Sequence, residues 1–212
     1  VVMNSADDVG NDGPDFIHGY GKINGRRAYR VLEGGTYFSD SLAQGENDSY
    51  SINVPAGISE LKIMLYWMDY EASPSSSMQL INDLNLVVTD PSMIVFNPWV
   101  LDHTPDVANL SALAVRIVDT LNNAEQVTID NPEVGTYQLD IDGFSIPQGP
   151  QEYFLVYEFV QDDITIVYPN GGEGLESGPS NLVRWDAPNG VDEFDLEYTI
   201  DNGASWNSIA TV

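Results

Sequence analysis

The sequence predicts a mainly β protein with antiparallel sandwich architecture. Short runs alternate apolar and polar residues, turn residues separate the runs, and one short segment has a helical pattern. The clearest run is central: Leu84, Leu86 and Val88 alternate with polar and smaller residues. This is the period of a strand with one buried face, and Asp90-Pro91 ends it because proline cannot donate to a ladder. We expect the other β segments in the middle of the chain to pack around this strand.

Residues 36–161 contain further alternating runs. They cover residues 50–54, 61–67, 127–129, 137–141 and 153–159, and the apolar residues 93–96 are expected to form a partner strand after the central one. About eight strands separated by turn signals are typical of a jelly-roll sandwich. The longest irregular segment, residues 97–123, contains Pro98 and Pro105 and has weak helical character near residues 107–115.

The first 35 residues differ from the rest of the chain. An acidic, turn-rich loop at residues 6–15 precedes a short helical pattern with Asn24 as its N-cap. Its apolar face holds Ala28, Val31 and Leu32, and Gly34-Gly35 is a natural stop. One helix and a loop cannot bury a core alone. We expect this segment either to fray or to pack on the sandwich through Ile23, Tyr29 and Val31.

A second all-β pattern begins at Ile164, after the linker residues 161–163. Its alternating runs cover residues 164–168, 182–185, 194–200 and 206–212. Four strands are too few for a complete immunoglobulin-like sandwich. The predicted domains are therefore residues 1–35, 36–161 and an incomplete module at 162–212.

Composition restricts the classes of partner. The 212 residues carry 33 acidic and 7 basic side chains, a formal net charge of −26. Such a surface repels nucleic acid and anionic lipid, and it suits a soluble extracellular protein or a cation-binding one. No apolar run approaches the roughly 20 residues that span a bilayer. The chain contains no cysteine, which leaves no disulfide or thiol chemistry.

Catalytic motifs are missing from the sequence. His18 and His103 have no recognisable catalytic context, and no nucleophile elbow or phosphate-binding loop occurs. Asp140 and Asp142 lie on the outer face of a predicted strand, where a solvated acidic surface is a better interpretation than a glycosidase pair. We therefore expect no catalysis by this chain itself.

A calcium site is the stronger candidate. Five residues lie at strand ends that a sandwich brings to one edge: Asp69, Asn82, Asp83, Asp119 and Asn122. Asn123 and Glu125 lie close by in sequence. Calcium takes six to eight oxygen ligands in flexible geometry, which these side chains can supply. The alternative is that the same residues cap turns, as Asn and Asp ordinarily do.

Two other features suggest surface binding or modification. Trp99, which follows Pro98 in the long loop, is the candidate for stacking against a sugar, whereas Trp67 faces the predicted core. Residues 47–49 and 109–111 match the short glycosylation acceptor pattern, which also occurs often by chance.

Several stretches resemble the C-terminal part of secreted bacterial subtilisin-like serine proteases. Residues 4–10 (NSADDVG) and 19–28 (GYGKINGRRA) are similar to the end of the catalytic domain. Residues 61–69, 80–89, 122–127, 135–137 and 146–151 resemble the jelly-roll domain that follows it in one branch, a fold akin to the P domain of proprotein convertases. Residues 168–173, 183–185 and 198–206 resemble an immunoglobulin-like module.

This resemblance implies a non-catalytic accessory region that stabilises or flanks the catalytic domain of a secreted bacterial endopeptidase. The family's nucleophile, histidine and aspartate motifs match nothing in this chain and are expected upstream of Val1. Relatives that bind calcium through the jelly roll agree with a site near Asp83. The implied partners are the parent catalytic domain and its protein or peptide substrates. The alternative function is attachment of the enzyme to a surface, a polysaccharide or a protein substrate.

Overall fold

The computed structural model describes residues 1–175, 178, 181–187 and 193–212. The chain forms two compact units, Val1–Gln161 and Asp162–Val212. The first unit contains helices α1 (Gly25–Gly34) and α2 (Val107–Leu110). Its strands are β1 (Tyr37–Leu42), β2 (Asn47–Val54), β3 (Glu60–Trp67), β4 (Asp83–Thr89), β5 (Val95–Phe96), β6 (Trp99–Val100), β7 (Val115–Arg116), β8 (Ala124–Asp130), β9 (Gly135–Ser145) and β10 (Gln151–Val160).

Eight of these strands form two four-stranded antiparallel sheets. The first sheet has the order β1-β10-β3-β8, and the second has the order β2-β9-β4-β5. Consecutive strands thus alternate between the sheets until β4 and β5 pair within the second sheet, which is jelly-roll connectivity. This arrangement confirms the prediction of a mainly β, antiparallel sandwich.

The core lies between the two sheets and comes from the predicted alternation. The inward positions of β3 are fully buried, as are Leu84, Leu86 and Val88 of the central strand β4. The structure also pairs β5 with the end of β4, as predicted for residues 93–96. Because side chains alternate between faces with period two, one apolar set per strand fills this space.

Residues 1–35 cover part of the outer face of the first sheet. The Asn24 side chain caps α1 by accepting the Arg27 N–H at 3.0 Å, and Gly35 ends the helix in a left-handed conformation. Val31 packs against Met64 and Val156 on the sheet. The prediction was therefore right for Val31 but wrong for Ile23 and Tyr29, which are 71% and 60% exposed. Only the helix stripe through Ala28 and Val31 faces the sheet. Successive helical residues are rotated by about 100°, so Tyr29 points away from the sheet.

We predict a large effect of substitution at Gly21, where the N-terminal segment forms a bridge between Asp7 and Lys22. Gly21 has φ +106°, and a Cβ there would lie 2.1 Å from the Asp7 carbonyl oxygen. We expect Gly21→Ala to destabilise the first unit by about 2–3 kcal/mol, since both the φ value and the clash oppose a side chain. Urea unfolding measures the effect.

Gly25→Ala is the matched control, because a Cβ at Gly25 meets no atom within 4 Å. Its expected effect is a small stabilisation, since alanine is the better helix former. Equal effects of the two substitutions would contradict the packing at Gly21.

The long segment at residues 97–123 contains only three short regular elements, β6, α2 and β7. Its predicted helical character is limited to the single turn of α2, whose N-cap Asp106 accepts from the N–H groups of Ala108 and Asn109. Beyond it, β7 pairs with β6 in a separate two-stranded ribbon. In the part of the chain that the structure describes, neither helix has the length and apolar character needed to cross a bilayer.

The second unit is Asp162–Val212. It contains β11 (Thr165–Tyr168), β12 (Arg184–Asp186), β13 (Asp195–Tyr198) and β14 (Asn207–Thr211). These strands form two antiparallel pairs, β11-β12 and β13-β14, at the positions where the alternation predicted strands. An edge-on contact joins the rings of Trp185 and Phe194, with centroids 5.5 Å apart. An immunoglobulin-like sandwich for this unit stays a prediction.

Candidate functional site

Asp69 follows β3 and organises the entry to β4. Its carboxylate accepts the backbone N–H groups of Ile81 at 2.7 Å and Asn82 at 2.8 Å. Both oxygens therefore hold the end of the 70–80 loop against the strand. This role is the turn-capping alternative that the sequence left open.

Asn82 is fully buried and joins three segments. Its amide nitrogen donates to the Gln148 carbonyl and to Gln151 Oε1, each at 2.7 Å, and its Oδ1 accepts the Gln148 N–H at 3.2 Å. The Asn82 carbonyl accepts from Trp67 Nε1 at 2.9 Å. The side chain thus satisfies buried backbone groups beside the core.

Asp119 and Asn122 form a turn before β8. Asp119 Oδ1 accepts the N–H groups of Leu121 and Asn122, and its Oδ2 accepts the Asn122 side-chain amide at 2.8 Å. Asp119 is almost fully buried, so these bonds offset the loss of its hydration. Four of the five predicted calcium ligands therefore have hydrogen-bonding roles in the fold.

Asp83, the fifth predicted residue, is different. Its Oδ1 is buried and has no hydrogen-bond partner. Burial, together with the negative charges of Asp119, Asp142 and Asp69, raises the pKa of Asp83 to about 6. A carboxylate in this state lacks a compensating positive charge.

Glu125, which the sequence placed close to the five predicted ligands, is electrostatically coupled to Asp83. It is fully buried on β8, and its Oε2 reaches the edge of β4 to accept the Leu86 N–H at 2.6 Å. Its Oε1 is buried without a partner. Burial raises the pKa of Glu125 well above its usual value, although the Leu86 hydrogen bond opposes the shift, and the charges of Asp119 and Asp83 add to it.

A third unpartnered oxygen, Asn85 Oδ1, lies two residues beyond Asp83 on β4. Within the described ranges, no group of three or more His, Cys, Asp or Glu side chains has the arrangement of a metal site. The buried oxygens without a hydrogen-bond partner are thus two carboxylate oxygens, from Asp83 and Glu125, and the amide oxygen of Asn85. Hard oxygen donors of this type suit calcium, which completes its shell with carbonyl groups and water. We name Asp83, Asn85 and Glu125 the oxygen cluster.

The sequence contained a signal for Glu125. Val127 and Ile129 alternate inward on β8, and Glu125 has the same parity two residues earlier. A carboxylate at an inward strand position is unusual and could have been selected for this reason. Asn85 carried no such signal, because its parity places it on the outer face of β4.

The other candidate residues have structural roles. Trp99 donates from Nε1 to Thr128 Oγ1 at 2.9 Å, and the Arg116 guanidinium lies 3.8 Å from its ring centroid. A Cβ at Gly13 would lie 3.0 Å from the same ring, so the N-terminal loop is also in contact with it. Trp99 therefore packs within the protein, which disfavours it as a sugar-stacking platform.

His18 and the outer carboxylates Asp140 and Asp142 lie in a turn and on a sheet face. His18 Nδ1 is 3.1 Å from Asp15 Oδ2, in a turn where Asp15 also accepts the N–H groups of Ile17 and His18. Asp140 accepts a short hydrogen bond from the Ser49 hydroxyl, and the Asp142 side chain is exposed. These contacts are those of turns and a solvated sheet face.

Comparison with known proteins links the chain to a protease-named protein. No protein-family model matches the chain. Over 118 residues, 53% of the chain is 28% identical to the serine protease/ABC transporter B family protein tagA of Dictyostelium discoideum. The chain spans 6% of that relative's length. The similarity supports a protease-associated region in general terms, and it does not identify a bacterial subtilisin.

Proposed function

We propose that this chain is the non-catalytic accessory region of a secreted subtilisin-like serine endopeptidase. In this proposal the first unit stabilises or flanks the catalytic domain, and peptide-bond hydrolysis is carried out by residues elsewhere in the polypeptide. The proposal is supported by the resemblance of residues 4–28 to the end of a catalytic domain and by the similarity to a protease-named relative. Protein or peptide substrates of the parent enzyme are its expected targets.

The observation that carries this proposal is the set of buried hydrogen bonds between residues 1–35 and the outer face of the first sheet. Lys62, buried on the outer face of β3, donates from Nζ to the Ala6 carbonyl at 2.7 Å. Asn4 donates to the Lys62 carbonyl at 3.3 Å and accepts from Gln126 at 3.3 Å. A segment held by buried polar groups cannot leave without exposing them unpaired. A catalytic domain that ends in this segment would therefore be anchored to the sandwich.

The same outer face continues beyond the segment as an uncovered apolar strip. Tyr37, Tyr66 and Phe154 border a cavity of about 390 Å³ with Val2 and Met3. Exposed apolar patches of this kind mark interaction surfaces. Since the strip is continuous with the part of the face that residues 1–35 cover, its proposed occupant is the remainder of the catalytic domain.

Phe154→Asp tests this docking strip in the full-length polypeptide. We expect it to lower the melting temperature of the catalytic domain by several degrees and to reduce labelling by a fluorophosphonate serine probe after heating. Phe144→Asp is the matched control, because Phe144 is also exposed, 59% against 43%, but lies on the second sheet. Identical melting curves for both variants would contradict docking at the strip.

The parent activity has a separate test in the same material. Deletion of residues 36–160 should reduce activity and melting temperature, and full retention of both would remove the stabilising role. Failure of the fluorophosphonate probe to label the unheated wild-type polypeptide would instead contradict the serine protease assignment itself. The two outcomes are therefore distinguishable.

Calcium is the proposed ligand of the oxygen cluster. Asp83 and Glu125 would contribute carboxylate oxygens, and Asn85 would contribute an amide oxygen. A bound divalent cation would supply the positive charge that these buried groups lack. It would join β4 of the second sheet to β8 of the first and so stabilise the edge of the sandwich.

A further inference from the structure

A cleft of the first unit lies between the N-terminal segment and three loops of the sandwich. It has a volume of about 650 Å³ and is bordered by residues 14–16, 19–20, 77–80, 99, 101, 103, 119–122 and 124. This volume lies within the range of about 300–1,000 Å³ typical of ligand sites. The cleft shares no lining residue with the cavity at the uncovered apolar strip.

The walls of the cleft are mainly apolar. They include Phe16, Tyr20, Met78, Leu80, Leu101 and Leu121. Phe16 and Met78 are at least half exposed, so their apolar surface is available to a ligand. Methionine side chains adapt to differently shaped partners, which is useful for binding varied peptide side chains.

The charged groups of the cleft are complementary to a cation. Asp15, Asp119 and His103 lie on its walls, and none of the described lining residues is a lysine or arginine. The hydrogen bonds that Asp15 accepts from the backbone and ring of His18 lower its pKa, so this carboxyl stays ionised. Both carboxylates already accept backbone N–H groups, and they therefore attract a cation through the local field rather than by direct ligation.

Neutral polar groups are also present at the cleft. The hydroxyl groups of Ser77 and Thr120 and the amide of Asn122 lie among the apolar side chains. Such groups can donate to and accept from the peptide bonds of an extended segment. The combination favours a polypeptide ligand over a hydrocarbon one, which would leave these groups unpaired.

We propose that this cleft binds a polypeptide segment that presents large apolar side chains next to lysine or arginine. The apolar side chains occupy the space between Leu80, Leu101 and Leu121, and the basic side chains face Asp15 and Asp119. The site shares no side chain with the oxygen cluster, although the charge of Asp119 acts on both, and it needs no catalytic group. It gives the sandwich a role in recognising a basic, apolar segment of another protein.

Three synthetic peptides test this site with the whole chain. The probes are acetyl-Lys-Phe-Lys-Phe-amide, its Glu-Phe-Glu-Phe counterpart and its Lys-Ser-Lys-Ser counterpart, titrated at low ionic strength into ¹⁵N-labelled protein. We expect the first peptide to bind at least 10-fold more tightly than the other two and to shift the amide signals of Leu80, Leu101 and Leu121. Raising the salt to 0.5 M should weaken it, because the attraction is electrostatic.

A pair of methionine variants assigns the binding to the cleft. Met78→Gln should weaken binding of the first peptide at least 5-fold, whereas Met93→Gln should leave it unchanged. Both side chains are exposed, 58% and 78%, so neither substitution disturbs the core. The proposal is overturned if the first peptide gives no shifts at 5 mM, if the acidic peptide binds equally well, or if both variants behave alike. Concentration-dependent self-association that Met78→Gln abolishes would overturn it in favour of a second copy of the chain.

Discussion

Glu158→Ala is expected to destabilise the first unit by about 3 kcal/mol. Arg27 Nε and Nη2 donate to the two oxygens of Glu158 at 2.8 and 3.0 Å, and Nη1 donates to Asp7 at 3.0 Å. Burial by itself would lower the pKa of Arg27, but Glu158 and Asp7 outweigh it and raise the pKa. When Glu158 is removed, the largely buried Arg27 guanidinium keeps its contact with Asp7. Breaking a buried ion pair costs about 3–5 kcal/mol when no partner remains, so we expect a loss at the lower end of this range.

Urea unfolding and hydrogen exchange measure this effect. The amides of α1 should exchange faster in Glu158→Ala, because Arg27 holds the helix on β10. Glu152→Ala is the matched control, since Glu152 lies on the same strand face but is exposed. The double variant Arg27→Met with Glu158→Leu should recover much of the loss, because an apolar pair needs no charge compensation. A change below about 0.5 kcal/mol in Glu158→Ala would contradict the anchoring of residues 1–35 by this pair.

Without calcium, the oxygen cluster should make the first unit less stable as the pH rises from 4 to 7. Asp83 has a folded-state pKa of about 6, above the value of 3.8 for an unperturbed aspartate, so the folded state binds its proton more tightly. Its contribution to stability is therefore complete below pH 4 and is lost as the pH rises through about 6. The raised pKa of Glu125 extends the loss to higher pH. Since Asp83 is partly exposed, we expect it to contribute about 1–2 kcal/mol.

Calcium should reverse this dependence. At pH 7, millimolar calcium is expected to raise the melting temperature of the chelator-treated protein, and at pH 4 protons should compete with it. Asp83→Asn combined with Glu125→Gln should remove both the pH dependence and the calcium effect, whereas Asp12→Asn, an exposed carboxyl, should remove neither. Equal calcium stabilisation of the double variant and the wild type would contradict the assignment of these ligands. If calcium does not change the melting temperature at pH 7, the calcium proposal is contradicted, whereas the predicted pH dependence without metal is unaffected.

The sequence predicted the sandwich well because strand parity is a local property. The alternation at Leu84, Leu86 and Val88 placed β4 correctly, and Asp90-Pro91 marked its end. Asn24 and Gly35 bounded α1 because capping depends on neighbouring residues. The weak helical character predicted near residues 107–115 is realised only in the single turn of α2, since Val115 and Arg116 pair with β6.

The site was less predictable because its residues act across the sandwich. Sequence position grouped Asp69, Asn82, Asp119 and Asn122 with Asp83, and in the fold the first four make hydrogen bonds. Whether an oxygen keeps a free lone pair depends on which backbone N–H groups the folded chain brings to it. That information is not present in residue type or spacing.

The sequence by itself determined the mainly β class, the strand parities and the acidic surface, since each follows from residue type and local order. Tertiary structure alone decided that Lys62 and Glu158 are buried polar groups on an outer sheet face. Alternation gives these residues the parity of a solvated surface, and residues 1–35 remove that solvent. It likewise decided that Glu125 reaches β4 and that its second oxygen is unpartnered. The physical reason is that burial and partner choice depend on contacts between segments distant in the chain.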